Sequence, residues 1–271
     1  MLDSYFFIPG DNKRFIDKIP YLSANYFIID LEDSVSESKK QLAFTNAIDL
    51  HILDNYFVRI PLDSSYSLSQ IMVLIDLYNG RVVLPKFTLS AINLEILDLI
   101  KYKNSVIILI ESTKGLLKLE DILEQKSDII KAIGFGSYDF CSSINIKHDY
   151  NKLLYYRQQI ILVAHAYSKE YIDGVSFDID GQLDFLLECT EAFAIGASGK
   201  FMIHPKQIEL NEKIEYFDQE EVEHFKKALL VLDNMNIEEV GIIKIDGKVY
   251  ERPHINWLRK MTNKLKKQNK L

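Results

Sequence analysis

Short runs of β-branched and aromatic residues recur along the chain, separated by longer stretches in which apolar residues return every three or four positions. Eight such runs stand out, at residues 5–8, 26–31, 57–60, 81–85, 106–110, 132–135, 174–177 and 201–203. The intervening helical spacing covers residues 36–49, 67–78, 90–101, 116–124, 152–169 and 183–194, and Ser36, Ser67 and Ser90 stand where N-cap hydroxyls belong. Strands alternating with helices make a parallel sheet with crossover connections. Eight repeats predict an α/β chain folded as a (β/α)8 TIM barrel over residues 1–210. A doubly wound open sheet is the other fold this order allows, but it does not require polar side chains at so many strand ends. Past His204 the pattern changes to a helix near residues 220–236, an extended VGIIKIDGKVYERPH, and a basic helix from Trp257. Asp246-Gly247 between the two extended arms reads as a hairpin turn. Residues 211–271 are thus expected to form a C-terminal extension acting as a lid or subunit contact.

The ends of the predicted strands carry the candidate chemistry. Asn12, Asp33, Arg59, Glu111 and Asp139 all follow or close apolar runs, and in a barrel that rim is where reactants sit. Glu111 and Asp139 are hard oxygen donors suited to Mg2+, which takes one or two carboxylates and leaves the rest of its shell to water and substrate. Asp30, Glu32 and Asp33 crowd three acids at one strand end, so they need cations nearby, and strand alternation predicts that Glu32 and Asp33 face opposite ways. An orienting role behind the metal fits Glu32 and Asp33. Arg59 sits in the otherwise apolar FVRIP, where its planar fork serves either a substrate carboxylate or a pair with Asp30 or Asp33. Lys86, after VVLP, faces substrate or pairs with the same acids. The turn Pro9-Gly10-Asp11-Asn12-Lys13-Arg14 leads into a helix start and puts Arg14 among the candidate substrate-binding residues. Gly134 and Gly136 lack the third glycine of a dinucleotide fingerprint and read instead as a close approach of backbone to ligand. His204 is either a base or a packed structural histidine.

Composition narrows the partners. With 271 residues, 31.5 kDa and 48% hydrophobic content, the chain can build a large core. A formal charge of −7 argues against nucleic acid, and with no apolar run of membrane-spanning length and no leader-like N-terminus a cytoplasmic protein without membrane contact is expected. The basic tail holding Arg259, Lys260, Lys264, Lys266, Lys267 and Lys270 is a solvated helix end or a contact for a phosphorylated ligand. Cys141 and Cys189 have no metal or disulfide spacing and read as free thiols.

Taken in order, FIPGDNKR, IIDLEDSV, VRIP, VLPK, IESTKG, GFGSYDF, DGVSFDID and GKFMIHPKQI span nearly the whole chain. This ordered set resembles the citrate lyase β-subunit-like family of the wider HpcH/HpaI aldolase group, which includes malyl-CoA and citramalyl-CoA lyases. The resemblance implies a barrel assembled as a homotrimer or a multiple of it, with Mg2+ on Glu111 and Asp139. It also implies that Arg59 holds a keto-acid carboxylate and that the backbone at Gly136, Ser137 and Tyr138 touches the same ligand. In relatives acting on acyl-CoA, an acid of the lid hairpin, often from a neighbouring subunit, transfers the proton; the matching residue is Glu251. Three positions depart from the family pattern: Ser112 stands for Thr, Tyr138 for Glu, and Glu251 for Asp. The implied activity is a Mg-dependent carbon-carbon lyase giving a keto acid and an acyl-CoA, with Arg59, Asp33 and Glu251 as the catalytic set. The alternatives are a CoA-independent keto-acid aldolase and a catalytically silent barrel subunit.

Overall fold

The computed structural model describes residues 2–51, 54–63, 65–233 and 242–267. Eight parallel strands close into a barrel: β1 (Asp3–Pro9), β2 (Tyr26–Asp30), β3 (Tyr56–Arg59), β4 (Val82–Leu84), β5 (Val106–Ile110), β6 (Ile130–Phe135), β7 (Glu170–Asp173) and β8 (Gly199–Met202). Each strand neighbours the next in sequence, and β8 closes on β1 with Asp3 opposite Gly199 and Phe6 opposite Met202. Buried on both faces, β5 shows no alternation: all five of its residues are covered.

Every strand contributes to one cluster of Tyr5, Ile28, Phe57, Val83, Ile107, Leu109, Ala132, Ile172 and Phe201, which fills the barrel. Aromatic rings supply much of the volume, with Tyr5 stacked on Tyr26 at 4.5 Å and edge-on to Phe201 at 6.1 Å. Gly134 makes room for this packing, because a Cβ there would lie 2.5 Å from Leu109 Cδ2 and 2.6 Å from Phe201 Cε2. The two-residue period of a strand then fixes what comes next. One step beyond Ile28, Phe57, Leu109 and Gly134 on the same face stand Asp30, Arg59, Glu111 and Gly136, so the interior packing aims these groups at the C-terminal mouth.

The structure departs from expectation in three places. The seventh strand is Glu170–Asp173, not residues 174–177. Asp173 and Lys200 are register partners on β7 and β8, and both are fully buried where Arg157 of the helix Leu154–Ala166 meets them. Their mutual neutralisation permits charge inside a strand layer, which a search for apolar runs does not see. The helix expected over residues 116–124 is two, Thr113–Leu117 and Leu119–Lys126, broken at Lys118. Ser67 and Ser90 cap their helices through Gln70 and Asn93 N–H, whereas Ser36 makes no cap bond because a 3-10 turn, Glu37–Lys39, precedes the helix Lys40–Asp49. Cys141 and Cys189 are buried free thiols. No helix among the described residues is long and apolar enough to cross a membrane.

The chain divides into two compact units, the barrel unit Leu2–Lys213 and a smaller unit from Ile214 to Leu271. The smaller unit has its own core, built from the helices Gln219–Asp233 and Arg252–Lys267 and the antiparallel pair β9 (Ile242–Ile245) and β10 (Lys248–Glu251). Asp246 and Gly247 both adopt positive φ, 48° and 80°, as a two-residue hairpin turn demands. Asn236, Val240, Gly241 and Lys270 of the expected elements lie outside the described residues, as do the side chains of Lys264 and Lys267.

Candidate active site

At the C-terminal mouth of the barrel lies a cavity of about 590 Å³ whose walls include Asp30, Asp33, Arg59, Glu111, Ser137 and Asp139. Its electrostatic centre is Arg59. The Nε and Nη2 atoms each donate to one oxygen of Asp30 at 2.7 Å, and Nη1 lies 3.1 Å from Glu32 and 3.7 Å from Asp33. The Phe7 ring carries the guanidinium 5.0 Å from its centroid. Asp30 further accepts from Ser34 and from the Glu32 backbone N–H. Burial alone would raise the Asp30 pKa, but the Arg59 charge and these bonds outweigh it and hold the carboxyl below its ordinary value.

The strand ends at Asp30, so the alternation expected for Glu32 and Asp33 does not apply to them. Both reach the same cation: Lys86 Nζ lies 2.9 Å from Glu32 and 3.2 Å from Asp33. Burial lowers the Lys86 pKa, but the two carboxylates outweigh that and raise it, which leaves the ammonium a structural counter-charge rather than an amine nucleophile. Lys86 has left-handed backbone, φ 48°, and in this pose its N–H donates to Glu111 Oε2 at 2.6 Å. Residue 86 thus holds Glu111 by its main chain and Glu32 and Asp33 by its side chain, while standing outside the cavity wall.

Glu111 is buried. Desolvation, with the charges of Glu32 and Asp139, pushes its carboxyl up to about 8 against the opposing pull of Lys86 N–H and Arg59. Asp139 occupies the first turn of the helix Ser137–Ser143 and is exposed at the same cavity. Gly136 precedes that helix, and a Cβ on it would lie 2.5 Å from Glu111 Oε1; the glycine leaves that oxygen its space. Two hard carboxylates that repel one another across a solvent-reached cavity fit a divalent cation. Among the described residues no group of three or more His, Cys, Asp or Glu could hold a metal by itself, so water and a ligand would complete the shell, as magnesium prefers.

The remaining sequence candidates are dispersed. Gly136 N–H is already given to Ile110 O at 3.0 Å, so the donors left at this helix start are the first-turn N–H groups of Ser137 and Tyr138. Arg14 is exposed and outside the cavity wall, where Lys18, one turn later, takes its place. His204 does line the cavity, yet its Nδ1 accepts from Lys206 N–H at 3.2 Å and caps the helix Pro205–Glu212. Glu251 is exposed at the end of β10 in the smaller unit. Sequence reasoning gave no role to Phe15, His148 and Phe177. His148 stacks on Tyr138 at 3.8 Å and contacts Ser137 Oγ at 3.0 Å, and Phe177 packs edge-on against Tyr138 at 4.4 Å. The aromatic in DGVSFDID was the visible signal for Phe177; the His148 contact is tertiary and left none.

Known proteins share this architecture and sequence. The chain is 25% identical to the citrate lyase subunit beta of Escherichia coli over 276 residues, covering 94% of this chain and 90% of the relative. It is 28% identical to the mitochondrial citramalyl-CoA lyase of Rattus norvegicus over 74% of this chain and 68% of that one. Among solved structures, protein CitE of Mycobacterium tuberculosis in complex with magnesium, acetoacetate and coenzyme A superposes with a TM-score of 0.73, covering 97% of both chains at 24% identity. The HpcH/HpaI aldolase/citrate lyase family matches residues 3–205, most of the chain and nearly all of the barrel unit, and the protein is therefore an enzyme of that family, a lyase on a (β/α)8 barrel.

Proposed function

We propose that the protein is a magnesium-dependent carbon-carbon lyase that cleaves a 2-hydroxy acid or its CoA thioester into a keto acid and the fragment that leaves as an enolate. The observation that carries this reading is the meeting of Glu111, Asp139 and Arg59 at one cavity. Glu111 and Asp139 hold the ion, which when bound polarises the oxygen next to the substrate carboxylate. Arg59, clamped by Asp30 and Glu32, presents a fixed positive charge to that carboxylate, and Ser137 and Tyr138 N–H orient it. Asp33, half-exposed at the cavity wall, takes the hydroxyl proton. The carbon-carbon bond then breaks, its electron pair passing to the departing carbon while the carbinol carbon becomes the carbonyl of the keto acid. An acid returns a proton to the departing carbon.

Glu251 is our assignment for that acid. The smaller unit would then serve as lid and subunit contact in a homotrimer, with Glu251 reaching a neighbouring copy's barrel, and the barrel domain would end near residue 210. The magnesium, acetoacetate and coenzyme A named for the M. tuberculosis CitE complex support both the ion and the keto acid as ligands here. Mass-spectrometric screening with magnesium against malyl-CoA, citramalyl-CoA, citryl-CoA and the corresponding free acids tests the proposal. The expected result is cleavage of at least one of them, abolished by Glu111→Gln. Turnover unchanged in Glu111→Gln would overturn it, and cleavage of free acids alone would make the enzyme a CoA-independent aldolase.

A further inference from the structure

Glu111 and Asp139 are seated by different means. Lys86 N–H and the bare Cα of Gly136 fix the Glu111 carboxylate directly. Among the described residues no hydrogen bond or ion pair holds the Asp139 carboxylate, so its place is set by its backbone, the first turn of the helix Ser137–Ser143. That turn is gripped at two points. Phe140 is buried against Phe135 at 5.3 Å and Tyr156 at 4.8 Å. The other grip is on the two residues just before Asp139: His148 Nε2 lies 3.0 Å from Ser137 Oγ, and the His148 ring lies flat on Tyr138, interplanar angle 8°. Gly174 leaves room for the same hydroxyl, since a Cβ there would lie 3.0 Å from Ser137 Oγ. Burial and the Lys200 charge lower the His148 pKa, so at pH 7 the ring is neutral and adds no cation beside the acids.

His148 is tied in turn to the most deeply buried charges of the barrel. Two residues on, Tyr150 Oη lies 2.9 Å from Asp173 Oδ2 and 2.7 Å from Glu188 O, and the Tyr150 ring carries the Arg157 and Lys200 cations 4.0 and 5.1 Å from its centroid. Lys200 Nζ also donates to Gly174 O at 2.8 Å. The cluster thus reaches Ser137 Oγ by two routes, through Tyr150 to His148 and through Gly174. Arg157, Asp173 and Lys200 stand outside the cavity wall and take no part in the chemistry there. Apolar side chains would fill the same space without the cost of burying charge, which leaves rigid anchorage as what the ion pairs add.

We infer that His148 is a positioning residue for the metal site: through Ser137 it fixes the helix turn that carries Asp139 to the cavity, with the Tyr150-anchored charge cluster as its footing. The inference rests on the reading of Glu111 and Asp139 as the magnesium pair. Calorimetric titration of Mg2+ into the parent, His148→Ala, His148→Gln, Ser137→Ala and the double variant His148→Ala/Ser137→Ala tests it, with a thermal melt of each. Losing a group that orients a metal ligand costs about 10–100-fold in affinity, so His148→Ala and Ser137→Ala are each expected to weaken magnesium at least about tenfold. Glutamine can place its amide where Nε2 stands, and His148→Gln is expected to stay within about threefold of the parent. Both alanine changes remove the same tie, so the double variant should bind magnesium within about twofold of the weaker single variant. A role in packing alone would instead lower the Tm of His148→Ala and leave the magnesium affinity of the folded protein as it was. Unchanged affinity in His148→Ala and Ser137→Ala, losses that multiply in the double variant, or His148→Gln as weak as His148→Ala overturns the inference while Glu111→Gln and Asp139→Asn still weaken the ion. If those two variants bind magnesium as the parent does, the magnesium reading fails and this one with it.

Discussion

Gly136→Ala perturbs the site at one atom. The added Cβ would lie 2.3 Å from Glu111 Cγ and 2.5 Å from Oε1, where carbon atoms rest at about 3.5–4.0 Å, so the side chain must retreat by roughly 1 Å or more. Retreat breaks its bond to Lys86 N–H, held at 2.6 Å. The backbone itself is indifferent, because Gly136 has φ −86° and ψ 78°, where alanine is unstrained and gains about 0.4–1 kcal/mol from a less flexible unfolded chain. Stability and function therefore separate. The variant should melt within a few degrees of the parent, lose most of its magnesium-dependent rise in Tm, and turn over about a hundredfold more slowly, the usual cost of misplacing a reacting group by about 1 Å. Thermal melts with and without magnesium, beside the mass-spectrometric assay, read both. A Gly136→Ala protein with the parental magnesium shift and turnover within threefold would refute the claim that glycine is there to seat Glu111. Gly134→Ala, two residues earlier on the same face, is the control. Its Cβ meets Leu109 and Phe201 in the barrel core, so it should lower Tm instead.

Other residues give separable outcomes. Arg59→Lys replaces a two-point clamp on Asp30 by a point charge; losing one charged hydrogen bond costs about 1.5–3 kcal/mol, seen as a lower Tm in melts and a keto-acid Kd raised at least about tenfold by calorimetry. Glu251→Gln should slow turnover by about 10²–10⁴ while leaving keto-acid affinity within twofold, measured by steady-state rates and calorimetry. Lys200 and Arg157, outweighing burial, hold the Asp173 pKa below its ordinary value, so its contribution is complete above the unfolded value of about 3.9 and is lost as pH falls through the folded one. Denaturant melts of Asp173→Asn should accordingly show a flatter loss of stability below about pH 4, and at pH 7 a cost of up to about 3–5 kcal/mol from breaking two buried ion pairs, reduced to the extent that Glu191 and Glu188 still hold Arg157 and Lys200.

How much of this was legible before the structure follows from where each signal lives. The barrel showed because seven of eight strands are apolar runs, and strand alternation then carried Arg59 and Glu111 to the mouth. β7 was misplaced because its chemistry is Asp173 neutralised by Lys200 and Arg157, contacts between residues 16 and 27 positions apart. The acids at the end of β2 were visible as a cluster needing cations, and both cations were named. The sharing of Arg59 and Lys86 between Glu32 and Asp33 depends on a turn that starts right after Asp30, which periodicity cannot place. Lys86 held a surprise of a different kind: its N–H matters as much as its ammonium, because a positive φ turns that N–H onto Glu111. The aromatic wall of Tyr138, His148 and Phe177 is tertiary throughout, and a sequence shows only that Tyr138 and Phe177 are aromatic.

The most direct measurement on the central claim is a calorimetric titration of Mg2+ into the parent, Glu111→Gln and Asp139→Asn. One site per chain in the parent, weakened at least about tenfold in each variant while the fold persists, is what two converging carboxylate ligands predict. Magnesium binding to all three with the same affinity would contradict it.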